Sequence, residues 1–265
     1  MRSNLLGLGL VLVVLVFPAT AAATLGVTPA AAPSNALFLS GPHASPVSST
    51  NWAGYAVTGA NGSVSFVSGS WIQPTVKCTA ASRYAAFWVG IDGYNSRTVE
   101  QTGTESDCIG GVAYYSAWYE FYPAYPVTVS MVIHPGDTMK ASVTYVSSTV
   151  GFRVSITDVT TAVTVTHAKT VPTAKRSSAE WIAEAPYSSG VLPLTNFGTV
   201  HFGTDATGVA HTNEATVSGT TAAIGGFLAP SIHRITMATS VHVKAATSFL
   251  TPDGTSFNVT WKHAA

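Results

Sequence analysis

Carboxylate side chains gather in one part of this sequence, among tryptophan and tyrosine residues. Five of the six glutamates fall there: Glu100, Glu105, Glu120, Glu180 and Glu184. Charged residues make up only 9% of the chain, and burying an ionised carboxylate is costly unless another group pairs with it. Carboxyl groups in such apolar strings indicate general acid–base chemistry, so this window is the candidate active site.

Other catalytic arrangements find little support in the sequence. It has no G-x-S-x-G elbow, no H-E-x-x-H zinc motif and no D-T-G or D-S-G motif of a paired-aspartate peptidase. The eight histidines lack metal-ligand spacing, and His134 beside Pro135 is typical of a turn, so neither a metal nor another cofactor is expected. A Ser-His-Asp triad stays open, because its members need only be adjacent in space.

The N-terminal residues indicate a secreted, extracellular protein. An apolar run from Leu5 to Phe17 precedes the small residues Ala21 to Ala23, which predicts a signal peptide over residues 1–23. A membrane anchor is the alternative, but the run is shorter than the roughly 20 residues that a spanning helix needs. Residues 24–48 are mostly Ala, Pro, Ser and Thr, which predicts a pro-segment or linker ahead of one folded domain over residues 49–265.

The balance of charge gives no support to several classes of partner. Lys plus Arg and Asp plus Glu each number 12, and the sequence has no Gly-rich phosphate loop, basic run or second long apolar span. Nucleotide and nucleic-acid binding are therefore unsupported, as is membrane binding once the signal peptide is removed. We expect a monomer.

Cys78 and Cys108 are the cysteines of the chain. In a secreted protein an isolated pair predicts one disulfide, here closing a loop of about 30 residues. A metal site is a weaker alternative, because no histidine stands beside either thiol.

Alternation of apolar and polar residues with period two runs through the chain from Asn51 onward, and no stretch has a capped helical stripe. This pattern predicts many short strands separated by Gly, Pro and Asn turns, and so an all-β sandwich of two antiparallel sheets. The expected strands are Val64 to Ile72, Tyr84 to Ile91, Tyr114 to Phe121, Val127 to Ile133, Met139 to Tyr145, Gly151 to Val165, Thr199 to Phe202, Ala222 to Leu228, Val241 to Val243 and Phe257 to Trp261.

Five strings resemble those of a known family, in the same order and at about the same intervals. They are NWAGY (Asn51 to Tyr55), WVGIDG (Trp88 to Gly93), EQTG with Gln101, WYEFYP with Glu120, and AEWIAE with Glu184. The family is the glutamic peptidases, also called eqolisins or peptidase family G1. The resemblance implies a secreted, acid-active endopeptidase that cleaves polypeptides, on a concanavalin-like or jelly-roll sandwich of two seven-stranded sheets. It also implies a catalytic dyad of Gln101 and Glu184.

The chemistry of the two residues agrees with that assignment. Glu184 as a carboxylate can take a proton from water and later return it to the leaving nitrogen. Gln101 can donate its amide hydrogens to the developing oxyanion, and it has no charge to titrate in acid. Without the resemblance, Glu184 could equally be solvated on an exposed face and Gln101 could be a residue beside a turn.

Six further residues are candidates for substrate binding or for positioning the dyad: Trp88, Asp92, Glu105, Trp118, Glu120 and Tyr122. Strand alternation places Trp118, Glu120 and Tyr122 on one face. Asp92 is either a turn residue or a group that orients Gln101. Glu105 stands where fungal members usually carry Asp, and Pro186 stands where an aromatic residue is common, so substrate preference is open.

Two other functions fit parts of the pattern. A carbohydrate-binding or adhesive sandwich would leave Gln101 and Glu184 apart. A glycoside hydrolase would need two carboxylates, for instance those of Glu120 and Glu184, roughly 5 to 9.5 Å apart. For the peptidase, we expect a moderately acidic pH optimum, with the rate falling below the pKa of Glu184, for which the unperturbed reference is about 4.3. We also expect removal of the pro-segment by a cut between Leu37 and Ser49.

Overall fold

A computed structural model describes residues 44–265. The expected signal peptide and the first twenty residues of the expected pro-segment, 24–43, lie outside the described residues. The first strand begins at Ser45, a few residues before the domain boundary expected at Ser49.

The described residues are almost entirely β-structure, with one short helix, α1 (Thr204–Thr207), and two single-turn 3-10 helices at Ile224–Gly226 and Ala229–Ser231. The strands are β1 (Ser45–Ser49), β2 (Trp52–Thr58), β3 (Val64–Ile72), β4 (Ala86–Ile91), β5 (Val99–Ile109), β6 (Val112–Tyr122), β7 (Val127–Val129), β8 (Thr138–Ser147), β9 (Gly151–Asp158), β10 (Val163–Lys169), β11 (Ser178–Glu184), β12 (Thr199–Phe202), β13 (Glu214–Val217), β14 (Thr220–Ala223), β15 (Ile232–Ala238), β16 (Val243–Thr247) and β17 (Phe257–Trp261).

The strands form two facing layers. The front layer has the order β1-β15-β2-β11-β4-β5-β6-β7, and all of its pairs are antiparallel except β1 with β15. The back layer has the order β16-β17-β12-β3-β8-β9-β10, and the hairpin β13–β14 adds to one end of β3. Because β15 also pairs with β16, the ladder is continuous, and the two layers belong to one large sheet. The all-β sandwich predicted from the sequence is confirmed.

The core lies between the layers, and tryptophans tie the layers together. On β11, Trp181 points into this core and donates its indole N–H to the backbone oxygen of Ser68 on β3, at 2.7 Å. Trp71 on β3 donates to Oγ1 of Thr104 on β5, at 3.1 Å. A second apolar cluster, containing Trp52, Ala56, Ala86, Trp88, Val99, Trp118, Ile182 and Ile235, lies on the opposite face of the front layer. The front layer is therefore buried on both faces around β11 and β4.

Four expected strands differ in the structure. The run from Val127 to Ile133 contains only β7, which ends at Val129, and the run from Val241 to Val243 contains only the first residue of β16. The run from Gly151 to Val165 is a hairpin of β9 and β10, because the Asp158 carboxylate accepts hydrogen bonds from the backbone of Thr160 and Thr161 and so closes a turn. The run from Ala222 to Leu228 contains only the end of β14, which ends at Ala223 and continues as a 3-10 helix. Threonine-rich turns have strand-like composition, and alternation alone does not separate them from strands.

Cys78 and Cys108 form the predicted disulfide, with their Cα atoms 5.3 Å apart. It joins the end of β5 to the segment that precedes β4, and the backbone of Arg83 and Cys108 pairs beside it. In the part of the chain that the structure describes, no helix combines the length and apolar character that crossing a bilayer requires.

Candidate active site

Four neighbouring strands, β11, β4, β5 and β6, carry the candidate residues on one face of the front layer. Since side chains on a strand alternate between faces, residues that pair directly across the sheet share a face. Three such rows cross these strands: Glu180, Gly90, Gln101 and Glu120; Ile182, Trp88, Gly103 and Trp118; and Glu184, Ala86, Glu105 and Ser116.

Gln101 and Glu184 line the same cleft on this face. They lie on β5 and β11, with β4 between them, and the row of Trp88 separates their two rows. The cleft is lined by Ala86, Gln101, Glu105, Trp118, Glu120, Pro126, Glu184 and Pro186. Gly90 on β4 leaves room for the side chain of Gln101. A Cβ atom at Gly90 would lie only 3.2 Å from the Cβ of Gln101. Convergence of the two side chains is the feature that separates the peptidase from the adhesive alternative.

The carboxyl of Glu184 is held by side-chain donors. Trp88 donates its indole N–H to Oε2 at 2.8 Å, and the Nδ2 of Asn51 donates to Oε1 at 3.1 Å. Ser49 in turn donates its hydroxyl to Oδ1 of Asn51, which turns the amide nitrogen toward Glu184. Glu184 is only 3% exposed, and burial raises its pKa to about 8, outweighing the lowering effect of Trp88, Trp52 and Asn51.

Asn51 was not singled out as a site residue from the sequence. The string NWAGY contains it, but an asparagine before a strand is by itself typical of a turn. Its partner Glu184 lies 133 positions away, so the contact depends on β2 pairing with β11. Only the family string carried a signal for this residue.

Gln101 pairs with Glu120 across the β5–β6 ladder. The Nε2 of Gln101 donates to Oε2 of Glu120 at 2.5 Å, and both side chains are at most 1% exposed. Burial raises the pKa of Glu120 to about 9; the hydrogen bond from Gln101 lowers it, and the carboxyls of Glu184 and Glu105 raise it further. Burial therefore favours the neutral form of the Glu120 carboxyl.

Glu105 also faces the cleft, in the row of Glu184. Its Oε2 accepts a hydrogen bond from the hydroxyl of Ser116 at 3.2 Å, and burial raises its pKa. Asp107 is the next residue on the same face of β5, and burial together with Glu105 raises its pKa to about 8. The cleft therefore contains several carboxyls that share a preference for the neutral form.

Asp92 has a different set of partners from those expected. Its carboxylate accepts hydrogen bonds from the backbone N–H of Arg176 at 2.7 Å and of Ser177 at 2.9 Å, and from the Ser177 hydroxyl at 3.1 Å. Asp92 itself has a left-handed backbone, with φ of 71°. Its bonds tie the β4–β5 connection to the segment that enters β11, so it fixes the strands that carry the dyad and has no hydrogen bond to Gln101.

Glu100 and Glu180 are fully buried near Asp92. Both carboxyl groups lack a hydrogen-bond partner among residues 44–265. Burial raises both pKa values well above the ordinary range, and the charge of Asp92 raises them further. These carboxyls are held in the neutral form, away from the cleft lining.

The aromatic candidates surround the dyad. Trp88 packs edge-to-face against Trp52, with ring centroids 5.1 Å apart, and Trp118 lines the cleft on the β6 side. Tyr122 is partly buried and packs against the same apolar cluster. These rings shield Glu184 and Glu120 from water, which is the cause of the raised pKa values.

Comparison with known proteins identifies relatives over most of this chain. The model of the Peptidase A4 family matches residues 50–249. Aspergillopepsin-2 of Aspergillus niger is 32% identical over an alignment of 180 residues, and the match covers 58% of this chain and 62% of the relative. The chain thus spans less than two thirds of the length of that relative.

Solved structures share the sandwich. Scytalido-glutamic peptidase with a transition state analog inhibitor superposes with a TM-score of 0.65 at 23% identity, covering 80% of this chain and 98% of the other. At that identity the likeness concerns the fold alone. Aspergilloglutamic peptidase from Aspergillus niger gives a TM-score of 0.56 at 28% identity, covering 68% and 99% of the two chains. The resemblance to the glutamic peptidases, or eqolisins, is confirmed, and this chain belongs to the Peptidase A4 family.

Proposed function

We propose that this protein is an endopeptidase that hydrolyses peptide bonds with the dyad of Gln101 and Glu184 and one water molecule. The observation that carries the proposal is the position of both side chains in one cleft of the front layer. Membership of the Peptidase A4 family and the relation to aspergillopepsin-2 support the same reaction class. The substrate is a polypeptide, and the reaction requires no cofactor.

The reaction follows from the donors and acceptors of the cleft. Ionised Glu184 takes a proton from water as the water oxygen bonds to the peptide carbonyl carbon. Negative charge develops on the carbonyl oxygen, and Gln101 stabilises it with an amide N–H. Glu184 then returns the proton to the peptide nitrogen, the C–N bond breaks, and a carboxylic acid and an amine leave.

The hydrogen-bond donors around the two carboxyls support this division of roles. Glu184 accepts two side-chain hydrogen bonds and has a pKa of about 8, whereas Glu120 accepts one and has a pKa of about 9. The larger number of donors favours the ionised form of Glu184 over that of Glu120. The active arrangement is an ionised Glu184 beside a neutral Glu120, because two neighbouring carboxyls with different environments divide into base and acid.

The family resemblance implies activity in acid, and the burial of the carboxyls bears on that expectation. The buried carboxyls of the front layer have raised pKa values, so in acid they carry no uncompensated charge. Against this, protonation of Glu184 slows a base mechanism as pH falls. The raised pKa values therefore favour a higher optimum than the acid one that the family resemblance implies.

Secretion and maturation complete the proposal. The signal-peptide pattern over residues 1–23 indicates export, and the disulfide of Cys78 and Cys108 suits an oxidising compartment. The segment before the domain is then removed, since exposed polar segments are preferred sites of proteolysis.

Glu184→Gln and Gln101→Ala test the dyad. With denatured protein as substrate, we expect Glu184→Gln to lower kcat by at least about a thousandfold, and Gln101→Ala by about a hundredfold to a thousandfold. Glu214→Gln is the matched control, because Glu214 lies in the hairpin strand β13, away from the cleft. Near-normal kcat in a correctly folded dyad variant would remove that residue from the mechanism.

A further inference from the structure

Two buried oxygen atoms of the Gln101–Glu120 pair have no partner. The Nε2 of Gln101 donates to Oε2 of Glu120, but Oε1 of Gln101 and Oε1 of Glu120 lack a hydrogen bond within the described part of the chain. Both atoms are acceptors when Glu120 is ionised, and buried acceptors without a donor are costly. One proton on Oε1 of Glu120 would satisfy both atoms.

We propose that Glu120 works as a neutral carboxylic acid that binds both ends of the Gln101 amide and thereby aims the amide nitrogen at the substrate. Nε2–H of Gln101 donates to Oε2 of Glu120, and Oε1–H of Glu120 donates to Oε1 of Gln101. This reciprocal pair occupies one hydrogen of the amide nitrogen and leaves the second for the oxyanion. Glu120 is thus a positioning residue, and this role rests on the proposed function of Gln101.

The surroundings of Glu120 favour the neutral form. The titratable groups that face it are the carboxyls of Glu105 on β5 and Glu184 on β11, both of which oppose a second negative charge. The remaining cleft lining consists of Ala86, Gln101, Trp118, Pro126 and Pro186, so no cationic side chain lines the cleft in the described structure. With 1% of Glu120 exposed, water cannot stabilise the carboxylate.

Ionisation of Glu120 would dismantle the pair. A carboxylate cannot donate, so Oε1 of Gln101 would face a second acceptor and only the Nε2 bond would remain. The amide would then be free to rotate or shift, and the oxyanion donor would lose its fixed position. Activity therefore depends on the proton of Glu120 as well as on the ionisation of Glu184.

Glu120→Gln tests this by replacing the acid with a group that never titrates. The amide introduced by this substitution can accept from Nε2 of Gln101 and donate to Oε1 of Gln101, so it preserves both bonds. In the parent we expect kcat to fall about tenfold per pH unit above the Glu120 pKa; in Glu120→Gln this decline is absent. Glu120→Ala, which keeps neither bond, loses about tenfold to hundredfold in kcat at every pH.

Controls separate positioning from folding. Glu214→Gln retains the alkaline decline of the parent, and thermal melting at each pH shows whether a variant is folded. A structural role alone would lower the melting temperature of Glu120→Gln and leave its alkaline decline in place. An unchanged decline in folded Glu120→Gln would overturn the proposal.

A second measurement needs no substrate. Gln73 and Gln101 are the glutamines of this sequence, so labelling glutamine side chains with nitrogen-15 gives two amide groups by NMR. Gln73 donates to the Ser106 hydroxyl at 2.7 Å and serves as the internal control. We expect the Gln101 amide hydrogens to shift along one titration curve that Glu120→Ala abolishes, while Gln73 does not follow that curve.

The two measurements distinguish the possible failures. If the parent cleaves no peptide but the Gln101 signals titrate with Glu120, the proposed function fails and the acid–amide pair stands. If the parent cleaves peptides but the Gln101 signals show no Glu120-dependent titration, the pairing is overturned and the dyad remains.

Discussion

The indole N–H of Trp88 donates to the carboxyl of Glu184 at 2.8 Å, across the pairing of β4 with β11. Their backbones are offset by one row of the sheet, so Trp88 reaches Glu184 along the same face. The bond stabilises the ionised form of Glu184, the proposed base, in a cleft that otherwise disfavours charge. An apolar-looking residue of the WVGIDG string thus has an electrostatic role.

Trp88→Phe should weaken catalysis through the pKa of Glu184. Loss of the donor raises that pKa, so less Glu184 is ionised at a given acid pH, and the acid limb of kcat/KM moves upward by about one unit or more. We expect kcat/KM in acid to drop by about tenfold to hundredfold. Trp261→Phe is the control, since its indole N–H contacts the backbone of Leu194, away from the cleft lining. An unmoved acid limb in Trp88→Phe would contradict this account of the bond.

The pH–rate profile itself is a second test. Below the pKa of Glu184, about 8 in the substrate-free cleft, the ionised base becomes scarcer and kcat/KM falls as pH decreases. Stability moves in the opposite direction, because the buried carboxyls favour acid. We expect a maximum between the pKa of Glu184 and that of Glu120, at about pH 8 to 9, which is higher than the family resemblance implies. A maximum below pH 7 would show that the acid activity of the family extends to this member and that Glu184 ionises at a lower pH than its burial implies.

Thermal stability should fall as pH rises from acid to alkaline. Six carboxyls have pKa values raised by burial: Glu100, Glu105, Asp107, Glu120, Glu180 and Glu184. Between the ordinary carboxyl pKa, about 4, and these raised values, the folded protein binds more protons than the unfolded chain. The free energy of unfolding therefore decreases across that interval. His233, whose pKa burial lowers, acts in the opposite sense.

Melting curves at pH 5 and pH 8 measure this effect. We expect the higher Tm at pH 5, and a smaller difference in Glu180→Gln, which removes one buried group that would otherwise ionise. Glu214→Gln should behave like the parent. Equal or higher Tm at pH 8 in the parent would mean that the buried carboxyls do not control stability.

Removing the disulfide should destabilise the fold without changing the chemistry. The bond closes a loop with a sequence separation of 30, for which the chain-entropy model gives about 3 to 4 kcal/mol. For a domain of this size, a double Cys78→Ala, Cys108→Ala variant should melt about 10 °C lower. At a temperature where the variant is folded, kcat should stay within about threefold of the parent, because neither cysteine lines the cleft. A Tm within about 2 °C of the parent would reject the stabilising role.

Much of the fold could be predicted because strand alternation is a local property. The bounds of β3 and β12 follow from the sequence pattern, and Trp118 and Glu120 line one cleft on the face where alternation places them. The order of β11, β4 and β5 could not be predicted, because it joins segments distant in sequence. The pattern of residue types predicts on which face of a strand a side chain lies. Only the pairing of distant strands brings Gln101 and Glu184 into the same cleft.

The contacts that hold Gln101 and Glu184 in place were harder to predict than these two residues themselves. The Asn51 contact and the orphaned oxygens of Gln101 and Glu120 depend on side-chain geometry across paired strands. Asp92 shows the converse, since one of its two expected roles was to orient Gln101, whereas its carboxylate accepts hydrogen bonds from the backbone of Arg176 and Ser177. A family string identifies which residues belong to a site without stating which atoms they touch.

The edge strand β1 has a consequence for the processing of the chain. It runs parallel to β15 over Ser45–Ser49. Its last residue, Ser49, donates a hydrogen bond to Asn51, and Asn51 donates one to Glu184. A cut within β1 would free the short segment that turns the Asn51 amide toward the base. We therefore expect any removal of the N-terminal segment to stop before Ser45, because a cut within β1 would weaken the contact of Asn51 with Glu184 and lower activity.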